Sequence, residues 1–304
     1  MYRKQRGMIV RRNPGQKINT FLLCVIVFLL IPIFITTFFS KKNAETLISE
    51  ISNVQMTEEE AILPFIVAKQ IGIFMPDECI KAQAVIARTN FRAAVKEGKN
   101  LPEAISESAL KELWGEAYDV YYKRLKTLIA ETEKETLQYN GDYIYAAYHQ
   151  ISAGNTRTMA EYAGADKMPY LFAEACHEDV TAENYLNVYF WKKEEFLSLM
   201  KTFFPEGNVS SVQDVYVLER DLAGYALRVQ VGQTTVDGEY FRNQLALPSA
   251  CFELTLIEEN VRLVTRGYGH GFGMSQHTAG KMAEAGSSYK EILNYFYKGV
   301  LFVE

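Results

Sequence analysis

Between residues 267 and 276 the chain reads Gly267-Tyr-Gly-His-Gly-Phe-Gly-Met-Ser-Gln276, with a glycine at every second position and a single histidine, His270, in the middle. Glycine at that density strips side chains from the backbone and permits positive φ, which is costly unless something occupies the space. The spacing is not G-x-G-x-x-G and no Gly-Lys-Ser/Thr follows, so neither a dinucleotide fingerprint nor a phosphate-cradling loop is supported. Two readings stay open: a tight turn around a structural histidine, or a backbone cradle for a ligand. Ser275 can cap a helix through Lys281-Met-Ala-Glu-Ala285 that Gly286 ends, which places His270 just ahead of a helix N-terminus, where a neutral imidazole is favoured.

Charge divides the chain. Residues 1–42 hold eight Lys and Arg and no Asp or Glu, and beyond them 24 basic residues stand against 37 acidic ones, a formal charge of −13. A body of that sign is poorly suited to nucleic acid or to an anionic membrane surface. Phe21 to Phe39 run without a charge, and as a helix they span ~28 Å, about the hydrocarbon core of a bilayer. Because the cations before this segment outnumber those after it, the positive-inside rule puts the N-terminus in the cytoplasm. The expectation is a single-pass membrane protein with a basic cytoplasmic tail over 1–20, a transmembrane helix over 21–39, a stalk over 40–56, and residues 43–304 extracytoplasmic. Cys24, Cys79, Cys176 and Cys251 form no C-x-x-C, and three of them lie beyond the apolar segment, which argues for small buried hydrophobes over a disulfide framework.

Residues 57–304 read as one α+β domain of helices and β-hairpins. Thr57-Glu-Glu-Glu60 forms a capping box for a helix through Gln70, with Pro64 an awkward interior residue. Asp77 is placed to cap a second helix carrying Lys81 and Arg88 on one face. Apolar residues recurring at three and four predict a long helix from Ala109 to about Glu135 despite Gly115. Asn140-Gly141 predicts a type I′ hairpin between Leu137–Tyr139 and Asp142–Tyr145. Residues 178–237 look like an inserted α/β module without a reactive cluster. Phe252 to Thr265 alternate as a hairpin around Glu258-Glu-Asn260, and Ser288 with Glu291 boxes a last helix that Gly299 terminates.

Three ordered motifs resemble the stage II sporulation protein D and amidase-enhancer (LytB-like) family. They are Lys81-Ala-Gln-Ala84 with Ala87-Arg-Thr89, then His149-Gln-Ile-Ser152-Ala-Gly154-Asn-Thr156, and Gly238-Glu-Tyr-Phe-Arg242 leading to Gly269-His-Gly-Phe-Gly-Met-Ser-Gln276 and Tyr289 to Gly299. The resemblance covers about residues 57–300. It implies recognition of peptidoglycan glycan strands and their cleavage by lytic transglycosylation, in sporulation (engulfment), on strands whose peptides an amidase has removed. One carboxylic acid would protonate the glycosidic oxygen and then accept a proton from the attacking sugar hydroxyl. In that family's pattern the catalytic glutamate falls on Gln70 here, or on Phe74 with a gap, and neither residue can donate that proton.

The resemblance therefore implies a groove in which Gln70, His149, Ser152 and His270 surround the glycosidic bond. Lys81, Gln83 and Arg88 would meet sugar or lactyl oxygens, together with Gly154, Thr156, Gly269, Gly271, Gly273, Ser275 and Gln276. Two outcomes stay open: cleavage with a replacement acid among Asp77, Glu78 and Glu161, or a catalytically inactive glycan-binding relative that localises or stimulates a partner amidase. No cofactor is expected. A zinc set of His149, Cys176 and His177 is incomplete, and a Cys-His hydrolase built from Cys79 or Cys176 with His270 lacks an activation signature. Implied partners are glycan strands, an amidase and other membrane sporulation proteins, not nucleic acid.

Overall fold

The computed structural model describes residues 59–304 apart from Glu133. The basic tail, the apolar segment over 21–39 with Cys24, the stalk and Thr57 lie outside the described residues. Among those described, no helix is long and apolar enough to cross a membrane. In chain order come α1 over 59–70, α2 (Asp77–Glu97), α3 (Glu107–Trp114), α4 (Tyr118–Ala130), β1 (Thr136–Tyr139), β2 (Asp142–Tyr143), β3 (Tyr148–His149) and α5 (Met159–Ala163). Then follow β4 (Leu186–Lys192), α6 (Lys193–Phe203), β5 (Val215–Arg220), β6 (Ala226–Val231), β7 (Thr234–Asp237) and α7 (Gly238–Gln244). The chain closes with β8 (Phe252–Ile257), β9 (Asn260–Arg266), β10 (Met274–Ser275), α8 (Gln276–Glu284), α9 (Tyr289–Phe296) and β11 (Leu301–Val303). The α+β expectation holds.

Helix α2 carries the first core. Asp77 and Glu78 sit in its first turn, where they oppose the positive end of the helix dipole, and Gly98 at φ 62° closes it while the Lys99 N–H returns to the Ala94 carbonyl. Asp77 is not the cap: Pro76 holds that position and the Asp77 carboxylate pairs with Arg124. Ala82, Ala84 and Ala87 are fully buried, so α4, α8, α9 and β1 pack close around this helix. Leu63, Ile66 and Ile80 lie in the same core, each worth roughly 1.5–3 kcal/mol of burial. Helix α1 passes Pro64 without a break.

The long helix expected over 109–135 is two helices. Gly115, at φ 53°, ends α3, and a single 3₁₀ turn over Gly115–Ala117 restarts the chain as α4. The hairpin is as expected at its turn, with Asn140 at φ 53° and Gly141 at φ 84°, although β2 stops at Tyr143. Its sheet runs β11-β1-β2. Helix α9 begins at its Ser288–Glu291 box but ends at Phe296, and Gly299 at φ 70° serves the turn into β11.

A second core gathers α6, the antiparallel sheet β5-β6-β7 and the sheet β4-β9-β8. Strand β4 pairs with β9 along its whole length, from Leu186 opposite Arg266 to Lys192 opposite Asn260. The buried residues of this core run from Phe196 to Leu263, so the hairpin after residue 237 is continuous with the segment read as an insert.

Candidate functional site

Three glutamines meet where α1, α2 and α8 converge. The Gln276 Nε2 donates to the Gln70 backbone carbonyl at 2.8 Å and to Gln83 Oε1 at 3.0 Å. In turn Gln83 Nε2 donates to Gln70 Oε1 at 2.7 Å. The chain of bonds has one direction, because each amide accepts on oxygen and donates from nitrogen. It occupies one acceptor site of the Gln70 oxygen, and among the described residues Nε2 of Gln70 has no hydrogen-bond partner. Gln83 is fully buried and Gln276 nearly so, whereas Gln70 is half-buried at the last position of α1.

Gln70 stands at the waist of two clefts. One, of about 830 Å³, is lined by Gln70, Asn90, Glu97, Tyr143, Tyr145, Tyr148 and Tyr170 among others. The other, of about 440 Å³, is lined by Gln70, Gly72, Met75, Gln150, Gln276 and His277 among others and contains no carboxylate. Asn90 holds the edge of the larger cleft by exchanging two hydrogen bonds with the Ala146 backbone, at 2.9 and 2.8 Å. Burial pushes the Tyr148 and Tyr170 hydroxyls up to about 12, so both remain neutral donors.

The glycine run is filled by protein. A Cβ on Gly273 would lie 1.9 Å from the Ala147 carbonyl oxygen, one on Gly269 2.5 Å from the His149 Cβ, and one on Gly271 2.5 Å from the Tyr225 ring. All four glycines have positive φ, from 66° to 121°. On the Cβ side, where the expectation puts a sugar against Gly269, Gly271 and Gly273, protein stands instead: the chain's own 147–152 segment, tied on by the parallel bridge of β3 and β10, against Gly269 and Gly273, and Tyr225 with Arg157 against Gly271. His149 and His270 come together across this contact, ring centroids 5.9 Å apart. His149 donates from Nδ1 to the Phe272 carbonyl at 3.0 Å, and His270 Nδ1 accepts the Phe272 N–H at 3.1 Å. Burial, with the nearby Arg157 and Arg242 charges, pulls His149 down to about 4. Burial with His149 and Arg242 pulls His270 to about 3.

Several expected contacts are structural. Arg88 is wholly buried and spends its guanidinium on Glu60 at 3.1 Å, Thr132 at 2.9 Å and the carbonyls of Glu135 and Ile129, so it reaches no groove. Lys81 bridges Glu78 and Glu131, each at 2.7 Å, and lines neither cleft. Ser152 is buried, with its hydroxyl accepting from Gly154 N–H at 3.1 Å, and Thr156 is buried with its hydroxyl donating to the Phe172 carbonyl at 3.1 Å. Ser275 caps α8 and is likewise buried. The carboxylates considered as replacement acids are engaged away from the clefts: Asp77 with Arg124, Glu78 with Lys81 and the Tyr289 N–H, Glu161 with the Leu222 N–H.

Cys176 is buried while its neighbour His177 is exposed, and among the described residues no three His, Cys, Asp or Glu side chains are grouped to hold a metal. Burial pushes Cys79 and Cys176 up to about 12, which keeps both thiols protonated and unsuited to attack. The three described cysteines are free and buried, as expected.

Sequence reasoning missed two buried anchors. Asp179 accepts from the Ser152 N–H at 2.6 Å, the Ser275 hydroxyl at 2.8 Å and the Thr278 hydroxyl at 2.7 Å, tying three segments together. Arg157 donates to Asp221 and Glu239, both at 2.6 Å, and to the His270 carbonyl at 3.1 Å, with its guanidinium against the rings of Tyr225 and Phe272. The only local signal is the serine and threonine pattern whose donors Asp179 collects. The cleft tyrosines were equally silent, because their spacing is that of a hairpin and a loop.

A family model described as stage II sporulation protein matches residues 48–139. The chain is 27% identical to stage II sporulation protein D of Bacillus subtilis (strain 168) over 256 residues, covering 79% of this chain and 73% of the relative. It is 28% identical to the protein of the same description from Bacillus amyloliquefaciens over 251 residues, covering 77% and 71%. The amidase enhancer of Bacillus subtilis (strain 168) is 23% identical over 272 residues, which is 73% of this chain and 37% of that protein.

Proposed function

Because this chain belongs to the family of stage II sporulation protein D and the amidase enhancers, we propose that it acts on the cell wall in sporulation as a glycan-strand binder that does not itself cleave. The observation that carries this reading is the amide of Gln70 at the waist of the two clefts. The family resemblance expects a glutamic acid there, and an amide has no proton to give to a glycosidic oxygen. Its Nε2 is suited to hydrogen-bond a sugar oxygen instead. The tyrosines of the larger cleft supply flat apolar faces with polar tips, which match the mixed faces of a pyranose ring. The imidazoles of His149 and His270 line neither cleft and, held neutral, are poor general acids at neutral pH. In this reading the protein sits on peptide-stripped strands and localises or stimulates an amidase, anchored by the apolar segment over 21–39 with its domain outside the cytoplasm.

The test incubates the full chain, and separately Gln70→Glu, with peptide-stripped glycan strands and looks by mass spectrometry for anhydro-muramic ends. The expected result is retention of the wild type on strands without new ends, and new ends with Gln70→Glu, since Gln83 Nε2 can donate to a carboxylate as it does to the amide. Anhydro ends made by the wild type would overturn the non-cleaving reading.

A further inference from the structure

Outside the clefts, six aromatic rings form one unbroken row across α1, α3, α4 and the turn after Gln70. Phe74 meets Tyr121 edge-on at 5.3 Å, Tyr121 meets Trp114 at 5.9 Å, and Trp114 meets Tyr118 at 6.1 Å. Tyr118 stacks on Tyr122 at 5.4 Å with the planes 10° apart, and Tyr122 meets Phe65 at 5.6 Å. Only Trp114 and Tyr121 pack against the first core; the other four rings belong to neither large core. Phe74 leaves 80% of its surface in water, at a turn of backbone whose Gly72 and Met75 line the smaller cleft. A core role explains the two inner rings and mutual packing half-buries Phe65, Tyr118 and Tyr122, which leaves the exposed Phe74 ring without a packing role.

Cations attend the outer stack. The Lys111 ammonium lies 5.2 Å from the Tyr118 centroid and the Lys126 ammonium 5.8 Å from that of Tyr122. Tyr122, Lys123 and Lys126, with the single carboxylate Asp119, line a shallow recess of about 410 Å³. Phe74 offers an exposed ring to the apolar C–H faces of sugars and Lys123 and Lys126 offer ammonium groups for acidic substituents, whereas Lys111 is held by Glu107 at 2.7 Å. On a body with a formal charge of −13 beyond residue 42, an anionic polymer needs local cations of this kind to stay in contact.

We propose that this aromatic row is a second saccharide-binding surface, taking the anionic glycan strand where it leaves the groove at Gln70. The inference rests on the glycan-binding reading of the groove. The peptide-stripped strand suits it because loss of the peptide leaves lactyl carboxylates exposed, and these are the groups that Lys123 and Lys126 of the recess would meet. A strand held at both surfaces gains affinity by tethering, whereas a short oligosaccharide fills only one of them.

The experiment titrates the full chain by calorimetry with long peptide-stripped strands and with chitotetraose. Phe74→Ala, a change at a side chain almost free of packing, and the double variant Tyr118→Ala/Tyr122→Ala should each weaken long strands roughly tenfold and leave chitotetraose unchanged. Lys126→Glu should weaken muramic-acid-containing strands more than neutral chitin of the same length. Gln70→Leu should do the reverse of the ring variants, weakening chitotetraose most. Unchanged long-strand affinity in both ring variants overturns the second surface while bound chitotetraose leaves the groove reading standing. Equal loss for both ligands overturns it as a separate surface. A wild type that binds neither ligand sinks the groove reading and the second surface together.

Discussion

Gln83 donates from Nε2 to the side-chain oxygen of Gln70 at 2.7 Å, and this one bond decides which end of the Gln70 amide faces the clefts. Gln83→Met keeps the volume but removes both the donor and the acceptor that Gln276 uses. The expected cost is about 1–3 kcal/mol of stability, since a buried amide of Gln276 loses a partner. Affinity for glycan should fall further than stability, because the Gln70 amide is then free to turn its oxygen outward. Urea unfolding and strand binding measured on the same variant separate the two effects. Affinity that stays at the wild-type level would show that the orientation of Gln70 does not matter.

The glycine run makes a sharper demand. In Gly273→Ala the new methyl would sit 1.9 Å from the Ala147 carbonyl oxygen at a φ of 66°, so the β3–β10 contact must open. In Gly286→Ala the φ of 95° is equally unfavourable, but nothing lies within 4 Å. We expect the second change to cost about 1 kcal/mol and the first at least about 3 kcal/mol, enough to deplete the folded protein. Thermal melts of the pair test this directly. Similar melting temperatures would mean that the run is a pliable ligand loop.

How much of this was legible beforehand depends on the range of the interaction. The Asn140-Gly141 turn, the Ser275 and Ser288 caps and the hairpin around Glu258 are decided by neighbours in sequence, and all were read correctly. The break at Gly115 is invisible in the spacing because apolar residues continue across it, and only the backbone at φ 53° interrupts the helix. The resemblance puts Lys81 and Arg88 in the groove, and the sequence cannot check this because a helix face says which residues share a side and not what covers it. Arg88 is covered by α1 and the end of α4. The glutamine cluster joins residues 70, 83 and 276, a separation that no local pattern spans.

Among the described residues Asp179 has no cationic partner in hydrogen-bond reach and is held by one N–H and two hydroxyls, in a position with no solvent exposure. Asp179→Ala strands three donors in the interior and uncouples the N-terminus of α8 from the 152 turn. The expected loss is about 3 kcal/mol or more, with Asp179→Asn recovering part of it because one amide oxygen can still accept. Differential scanning calorimetry of the two variants gives the order. A melting temperature for Asp179→Ala within a degree or two of wild type would remove this residue from the list of anchors.

His149, which is buried, and His270, which is half-buried, shape the acid response. Their folded-state values, about 4 for His149 and about 3 for His270, lie below the value of about 6.5 that an imidazole takes in the unfolded chain. Between about pH 6.5 and those values the unfolded chain binds more protons, so stability rises with pH there and is lost as the solution is acidified. Each imidazole steepens the dependence by up to about 1.4 kcal/mol per pH unit within its window. Carboxylates add their own slope below about pH 5, so the informative quantity is a difference between proteins. His149→Asn keeps a donor for the Phe272 carbonyl and removes one titrating ring. Its unfolding free energy should start lower than wild type at pH 7, for the packing lost, and fall less steeply between pH 6.5 and 5. Parallel curves across that interval would mean that His149 titrates in the folded protein as it does in the unfolded chain. Its burial against the glycine run would then carry no penalty for the charge.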